Sequence, residues 1–233
     1  MVNKQCCWYF LVLMFSLNVT VSAKVAQSLV VTFPTSGRVI VHAKEEVGQF
    51  PVMLFTAEKS GKVLLEHPIK DKDKWLIPEK DDLSPPNLRF RLVQSKGFSG
   101  PMIMSVGVYH GGSDDAFFLT VFGEVGGEIK SLNDKPIFAN IQGGYYLGFL
   151  NEKYGYGLAT WNFIWGHAIN ESHYSAHKYE AELYVLKDGK FSQILHRISR
   201  KMHSGNGSGS LREIGITVFD QRKGIPKIKD ALD

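Results

Sequence analysis

Three stretches of this chain repeat one pattern, and that pattern limits the fold more than any single segment does. They are VMLFTAEKSGKVLLEHPI, FLTVFGEVGGEIKSLNDKPI and AELYVLKDGKFSQILHRI. Each reads as an apolar strand, a short polar turn with a glycine, and a second strand. The turn glycines Gly61, Gly127 and Gly189 lie 66 and 62 residues apart. A glycine there supplies the positive φ that tight hairpin turns require. A looser fourth copy centres on Gly224. Hairpins recurring at this spacing predict an all-β protein of antiparallel, hairpin-repeat architecture, β-propeller-like, with a β-sandwich as the alternative.

Alternation supports the same class. YEAELYVL (179–186) places Tyr179, Ala181, Leu183 and Val185 on one face and Glu180 and Glu182 on the other; LRFRL (88–92) separates Leu and Phe from two Arg. A period of two marks a half-buried strand. SLVVTF, GRVIVHA, MIMSVGVY, FFLTVF and GLATWNFIW read the same way with less purity. KFSQILHRISRKM (190–202) fits either a helix or a strand running into a basic loop. The charged stretch 66–87 carries four prolines and reads as a long loop, and SGNGSGS (204–210) as a flexible surface loop.

The first residues bound the compartment. Lys4 is the only charge in residues 1–23, an apolar run spans Cys6–Leu17, and the stretch ends in Val-Ser-Ala. This is the pattern of a secretory signal peptide cleaved after Ala23. The run is shorter than the roughly 20 residues that cross a bilayer. The expected product is a single all-β domain over 24–233, secreted or periplasmic, with no membrane span after cleavage. Cys6 and Cys7 would leave with the signal, so no disulfide, thiol nucleophile or thiolate metal site remains. Loss of Lys4 takes the formal net charge from +4 to +3. That mild balance does not suit a nucleic-acid binder.

One segment resembles a known family. In YYLGFLNEKYGYGLATWNFIW followed by YEAELYVLKDGKF, residues 141–195 are similar to a degenerate FG-GAP-type β-propeller blade. Leu147, Gly148, Leu150, Asn151, Gly155, Gly157, Leu158 and Ala159 match its first part; Asp188, Gly189 and Phe191 match its last. The resemblance implies a four-stranded blade. The family's turn carries several Asp or Asn residues that bind calcium. Here only Asn151 and Glu152 offer side-chain oxygens, against the roughly six to eight that calcium takes.

The densest chemistry lies in WNFIWGHAINESHYSAHKYE (161–180). Trp161, Phe163 and Trp165 share one face of a strand, which predicts core, an exposed stacking row being the alternative. His167, His173 and His177 are as many imidazoles as a catalytic zinc site uses, and Glu171 or Glu180 could add an oxygen. Their spacing matches no helical His-Glu-x-x-His motif. Without a metal, Trp165, Glu171, His173, Tyr174 and His177 form the candidate ligand-binding set. Asp114 and Asp115 in HGGSDDAFF read as a solvated turn. HRISRKMH (196–203) reads as a solvated basic face that could instead meet anionic glycan, lipid head groups or an acidic partner. The sequons at Asn170 and Asn206 fall in expected loops. Neither a nucleophile elbow nor a phosphate loop occurs.

The expected function is therefore an exported non-catalytic binding or interaction module with a protein or glycan ligand and no cofactor. One alternative is a metal-dependent hydrolase in which a divalent ion on His167, His173 and His177 activates water. The other is a structural subunit of an envelope assembly that pairs strand edges.

Overall fold

A computed structural model describes residues 24–45, 52–68, 87–93, 98–111, 114–140, 142–166, 171–205 and 207–216. The signal segment, His167, the sequon residues Asn170 and Asn206, and the copy around Gly224 lie outside these residues. So does most of the loop assigned to 66–87. Its start belongs to a strand that runs to Pro68, and Asn87 opens the next strand.

The described chain is almost entirely β, as the hairpin repeat predicts. Strands β1 (Lys24–Phe33), β2 (Gly37–Glu45), β3 (Val52–Ala57) and β4 (Val63–Pro68) form sheet A as a meander. Sheet B follows with β5 (Asn87–Val93), β6 (Met102–Gly111), β7 (Asp114–Val125) and β8 (Glu128–Ser131). The short β9 (Ile137–Asn140) also pairs with β7. Sheet C is the meander β10 (Gly144–Asn151), β11 (Gly155–Ile164), β12 (Lys178–Lys187) and β13 (Lys190–Ile198). All pairings are antiparallel, and none of the sheets closes on itself. A single turn of helix, α1 (Gly209–Arg212), follows. Lys190–Met202 is thus the strand running into a loop, not the helix.

The three sequence copies prove to be equivalent hairpins. Each is the β3–β4, β7–β8 or β12–β13 unit of its sheet, and Gly61, Gly127 and Gly189 all have positive φ, at 66°, 81° and 78°. Gly126–Gly127 and Asp188–Gly189 are two-residue turns with both φ values positive. Those are the mirror-image turns whose twist matches that of the strands.

Sheet B is the middle layer. Phe90, Ile103, Phe122 and Ile129 pack against Val39, Val41, Met53 and Phe55 of sheet A. The opposite faces of the same strands, with Met102, Met104, Leu119 and Val121, pack against Leu147, Leu158 and Phe191 of sheet C. Strands buried on both faces lose alternation, which is why MIMSVGVY and FFLTVF read less purely than YEAELYVL. Asp114 and Asp115, expected in a turn, open β7 opposite Gly111 and His110.

The far face of sheet C is covered by residues 199–216. Leu211 and Ile216 join Trp161, Phe163, Tyr179, Ala181 and Leu183 in a third cluster. The glycine-rich stretch in this cover is not a free surface loop: Gly207 is buried at φ 65°, and a Cβ there would stand 1.9 Å from the Tyr179 ring. Its lack of side chains lets backbone lie on an aromatic face.

Hairpin tips of the sheets touch. Glu124 of β7 accepts from the Thr35 N–H at 2.7 Å and from the Ser36 N–H and hydroxyl, both at 2.6 Å, in the β1–β2 turn. A Cβ on Gly189 would stand 2.5 Å from a Val125 methyl, whereas one on Gly61 would meet open space. Both Gly61→Ala and Gly189→Ala place alanine at positive φ, at a cost of about 1–2 kcal/mol. Gly189→Ala also drives a methyl into a β-branched neighbour, adding roughly 1–3 kcal/mol. Urea unfolding should rank the two variants in that order.

Candidate functional site

The aromatic run ends where β11 leaves the sheet. Trp161 and Phe163 point to the covered face and are 5% and 7% exposed, which settles them as core. Trp165, just past the strand, stays half-buried and turns its ring onto the returning loop. His173 lies edge-on to it with centroids 4.8 Å apart, and His177 edge-on at 5.4 Å. Phe163 touches the same group, 5.2 Å from Trp165 and 5.0 Å from His177. Edge-to-face pairs of this kind contribute about 0.5–1.5 kcal/mol each beyond area burial. The expected ligand set Trp165, Glu171, His173 and His177 is thus drawn together on one aromatic root.

His177 is the anchor of that root. Its side chain is fully buried, with Nδ1 2.9 Å from Oε1 of Glu171, itself only 7% exposed. The two atoms approach closely without hydrogen-bond alignment. On the other side Nε2 lies 2.8 Å from the Ser172 carbonyl. A carbonyl only accepts, so Nε2 is the donor. The loop closes on itself further. Ser172 O also accepts from Ser175 N at 2.9 Å, Ser172 N donates to Ser175 Oγ at 2.9 Å, and Glu171 Oε1 accepts from Gly166 N at 2.8 Å.

Tyr174 does not join this root. It stands on the turn of the 171–177 segment and is 93% exposed. His167, third of the expected metal set, lies outside the described residues. Among the described residues no three His, Cys, Asp or Glu side chains are grouped to hold a metal ion. The turn that the FG-GAP resemblance would make a calcium loop uses its asparagine locally: Asn151 Oδ1 accepts from Tyr154 N at 2.9 Å, and Nδ2 donates to Gly215 O at 3.0 Å.

The root is tied to the cover by a backbone bridge. His177 and His203 exchange N–H···O bonds of 2.9 and 2.8 Å. His203 Nε2 in turn lies 2.8 Å from Glu213 Oε1, and Glu213 accepts from Arg200 N at 2.6 Å and Lys201 N at 3.1 Å. Burial pushes the Glu213 carboxyl up, but the Arg200 N–H, the His203 imidazole and the Lys201 N–H together outweigh it and hold the group down at about 2. No motif marks Glu213 in the sequence. Its role comes from a fold contact within the 199–216 cover.

A second concavity lies between sheets B and C. A cleft of about 420 Å³ runs between the 133–138 turn and the face of β12 that carries Glu180, Glu182 and Tyr184. These glutamates, expected to point outward, are half-buried and engaged. Glu182 accepts from Tyr184 Oη at 2.7 Å and from Gln193 Nε2 at 2.9 Å, and Glu180 pairs with His196. Burial, then the Glu182 carboxylate, push the Tyr184 phenol up.

These contacts separate structural from displayed residues. His177→Ala empties a fully buried side-chain site and strips the Ser172 carbonyl of its Nε2 donor, and should cost about 2–5 kcal/mol. Tyr174→Ala should stay within about 0.5 kcal/mol, both measured by denaturant unfolding. For Glu213 the folded-state pKa is depressed. The stability it gives over Glu213→Gln should be complete above its ordinary value of 4.5 and fade as pH falls towards about 2. Unfolding of both proteins across that range reads the difference.

No family model matches the chain, and neither a curated protein nor a solved structure matches it, so the site rests on its own geometry.

Proposed function

We propose that the protein is an exported, non-catalytic binding module that recognises a protein or glycan partner through the loop following Trp165. The observation that carries this is the division of labour within residues 165–177. Glu171 and the fully buried His177 fix the 171–177 segment from beneath, while Tyr174 on its turn is 93% exposed. A rigid β-scaffold presenting a pre-organised loop is a common design for recognition. Tyrosine gives large contact area at low entropic cost. Catalysis is less well served, because the buried imidazole donates to a backbone carbonyl and does not face solvent.

The envelope-assembly reading meets an obstacle in the edges of sheets A and C, though not at β5, the unbulged outer strand of sheet B. Each outer strand of sheets A and C carries one extra residue: Ala26 in β1, Leu64 in β4, Leu150 in β10 and Ile194 in β13. Bulges disrupt the ladder a neighbouring chain would need.

Replacing Tyr174 by the photo-reactive p-benzoylphenylalanine and irradiating cells that produce the protein should give a discrete adduct in a mass shift. The same probe at exposed Lys59 should not. No adduct from position 174, or the same ladder from both positions, would sink the reading. Elemental analysis is the second arm. One divalent ion per chain, lost in His173→Ala, would replace it with the metal-dependent hydrolase.

A further inference from the structure

The basic segment HRISRKMH acquires a definite shape at the edge of sheet C. Ser199 N donates to Tyr179 O at 2.7 Å, and the next pairing is the His177–His203 bridge. Between them Arg200, Lys201 and Met202 stand opposite Lys178 alone, so the chain is pushed outward as a bulge. The backbone groups of Arg200 and Lys201 are satisfied from within. Glu213 takes the Arg200 and Lys201 N–H groups, Lys178 Nζ donates to Ser199 O at 3.1 Å and Arg200 O at 2.6 Å, and Ser199 Oγ donates to Lys201 O at 2.7 Å. The bulge is thereby held in place to offer its side chains.

Those side chains are of two kinds. Met202 is 59% exposed, and Ile198, the last residue of β13, 53%. Arg200 and Lys201 are exposed, and among the described residues neither has a carboxylate partner. Large apolar groups left in water between unpaired cations mark a contact surface. A small anion would need a concave nest of N–H groups. Here those N–H groups already face Glu213.

We propose that the Arg200–Met202 bulge, with Ile198, docks on an anionic lipid surface. The cations meet head groups while Met202 and Ile198 enter the interface. This contact is separate from the Tyr174 loop and uses different variants, so either reading can fail alone. The test is co-sedimentation of the purified protein with phosphatidylcholine vesicles, with and without phosphatidylglycerol. Binding should require the anionic lipid and fall as salt shortens the screening length. R200Q/K201Q should weaken it roughly 25-fold, about five-fold per cation. M202S should weaken it as well. K59Q/K62Q, which removes two exposed cations from the β3–β4 turn, should bind like the natural protein. Circular dichroism and unfolding should show each variant folded. Three results would overturn the proposal: no sedimentation with anionic vesicles at low salt, equal binding to neutral vesicles, or full binding by R200Q/K201Q. Binding to soluble heparin at least as tight as to vesicles, and untouched by M202S, would overturn it in favour of a polyanion partner.

Discussion

The register of β12 is the constraint on which the rest of this molecule depends. Tyr179, Ala181 and Leu183 enter the covered cluster because Phe163, Trp161 and Ala159 lie opposite them on β11. The intervening Glu180 and Glu182 then face the cleft, and Lys178 stands where it can cap the carbonyls of the bulge. One residue earlier, His177 reaches the aromatic root and pairs with His203. A slip of one residue would exchange the two faces. It would bury Glu180 and Glu182 against Leu211 and put the Tyr179 ring where polar groups now meet. Burying an unpaired carboxylate costs several kcal/mol, more than the pairing of a few residues returns. The register is therefore fixed by side-chain chemistry, and cover, root, cleft and bulge follow from it together.

How far such a structure can be read from its sequence depends on whether the cause is local. The hairpin units were legible because a turn glycine and a period of two are local signals. Gly61, Gly127 and Gly189 each sit at positive φ in the turn of an equivalently placed hairpin. Sheet B was harder. Its strands meet sheet A on one face and sheet C on the other, so Ile103 and Met104 are both fully buried and the period fades. SGNGSGS misled for a related reason. Glycine content signals freedom when nothing is nearby, but Gly207 lies under the Tyr179 ring, whose hydroxyl donates to Gly205 O and Gln142 O, both at 3.2 Å.

The candidate site was half visible. Composition singled out Trp165, Glu171, His173, Tyr174 and His177, and four of them converge. Composition could not say which were foundation and which were surface. His177 and Tyr174 are three residues apart and chemically both plausible contacts, yet one is fully buried and the other 93% exposed. That distinction comes from the direction in which the chain leaves β11 and returns to β12. It is held by contacts to Phe163 and Trp165 at one end and to His203 at the other. Glu213 and Lys178 gave no signal at all. Each matters only because it meets backbone groups of the bulge brought to it by the fold.

The bulges give the outer sheets a shared logic. Sheet B shows no register shift along β5–β6, β6–β7 or β7–β8, whereas each outer strand of sheets A and C carries one. Sheet B, packed on both faces, keeps a regular ladder even at its own outer strand β5. An outer strand presents unpaired N–H and C=O groups that invite another chain, and an inserted residue breaks their spacing. The same irregularity re-aims side chains: in β10 it leaves Leu150 buried at 3% exposure, while in β13 it leaves Ile194 at 41%. The wider bulge at 200–202 extends this principle. Glu213 takes the Arg200 and Lys201 N–H groups and Lys178 the Arg200 carbonyl, so these groups are not offered to a neighbouring chain. The side chains of the bulge remain the means of contact. An edge closed to strand addition in this way can still carry recognition, through side chains rather than a shared ladder.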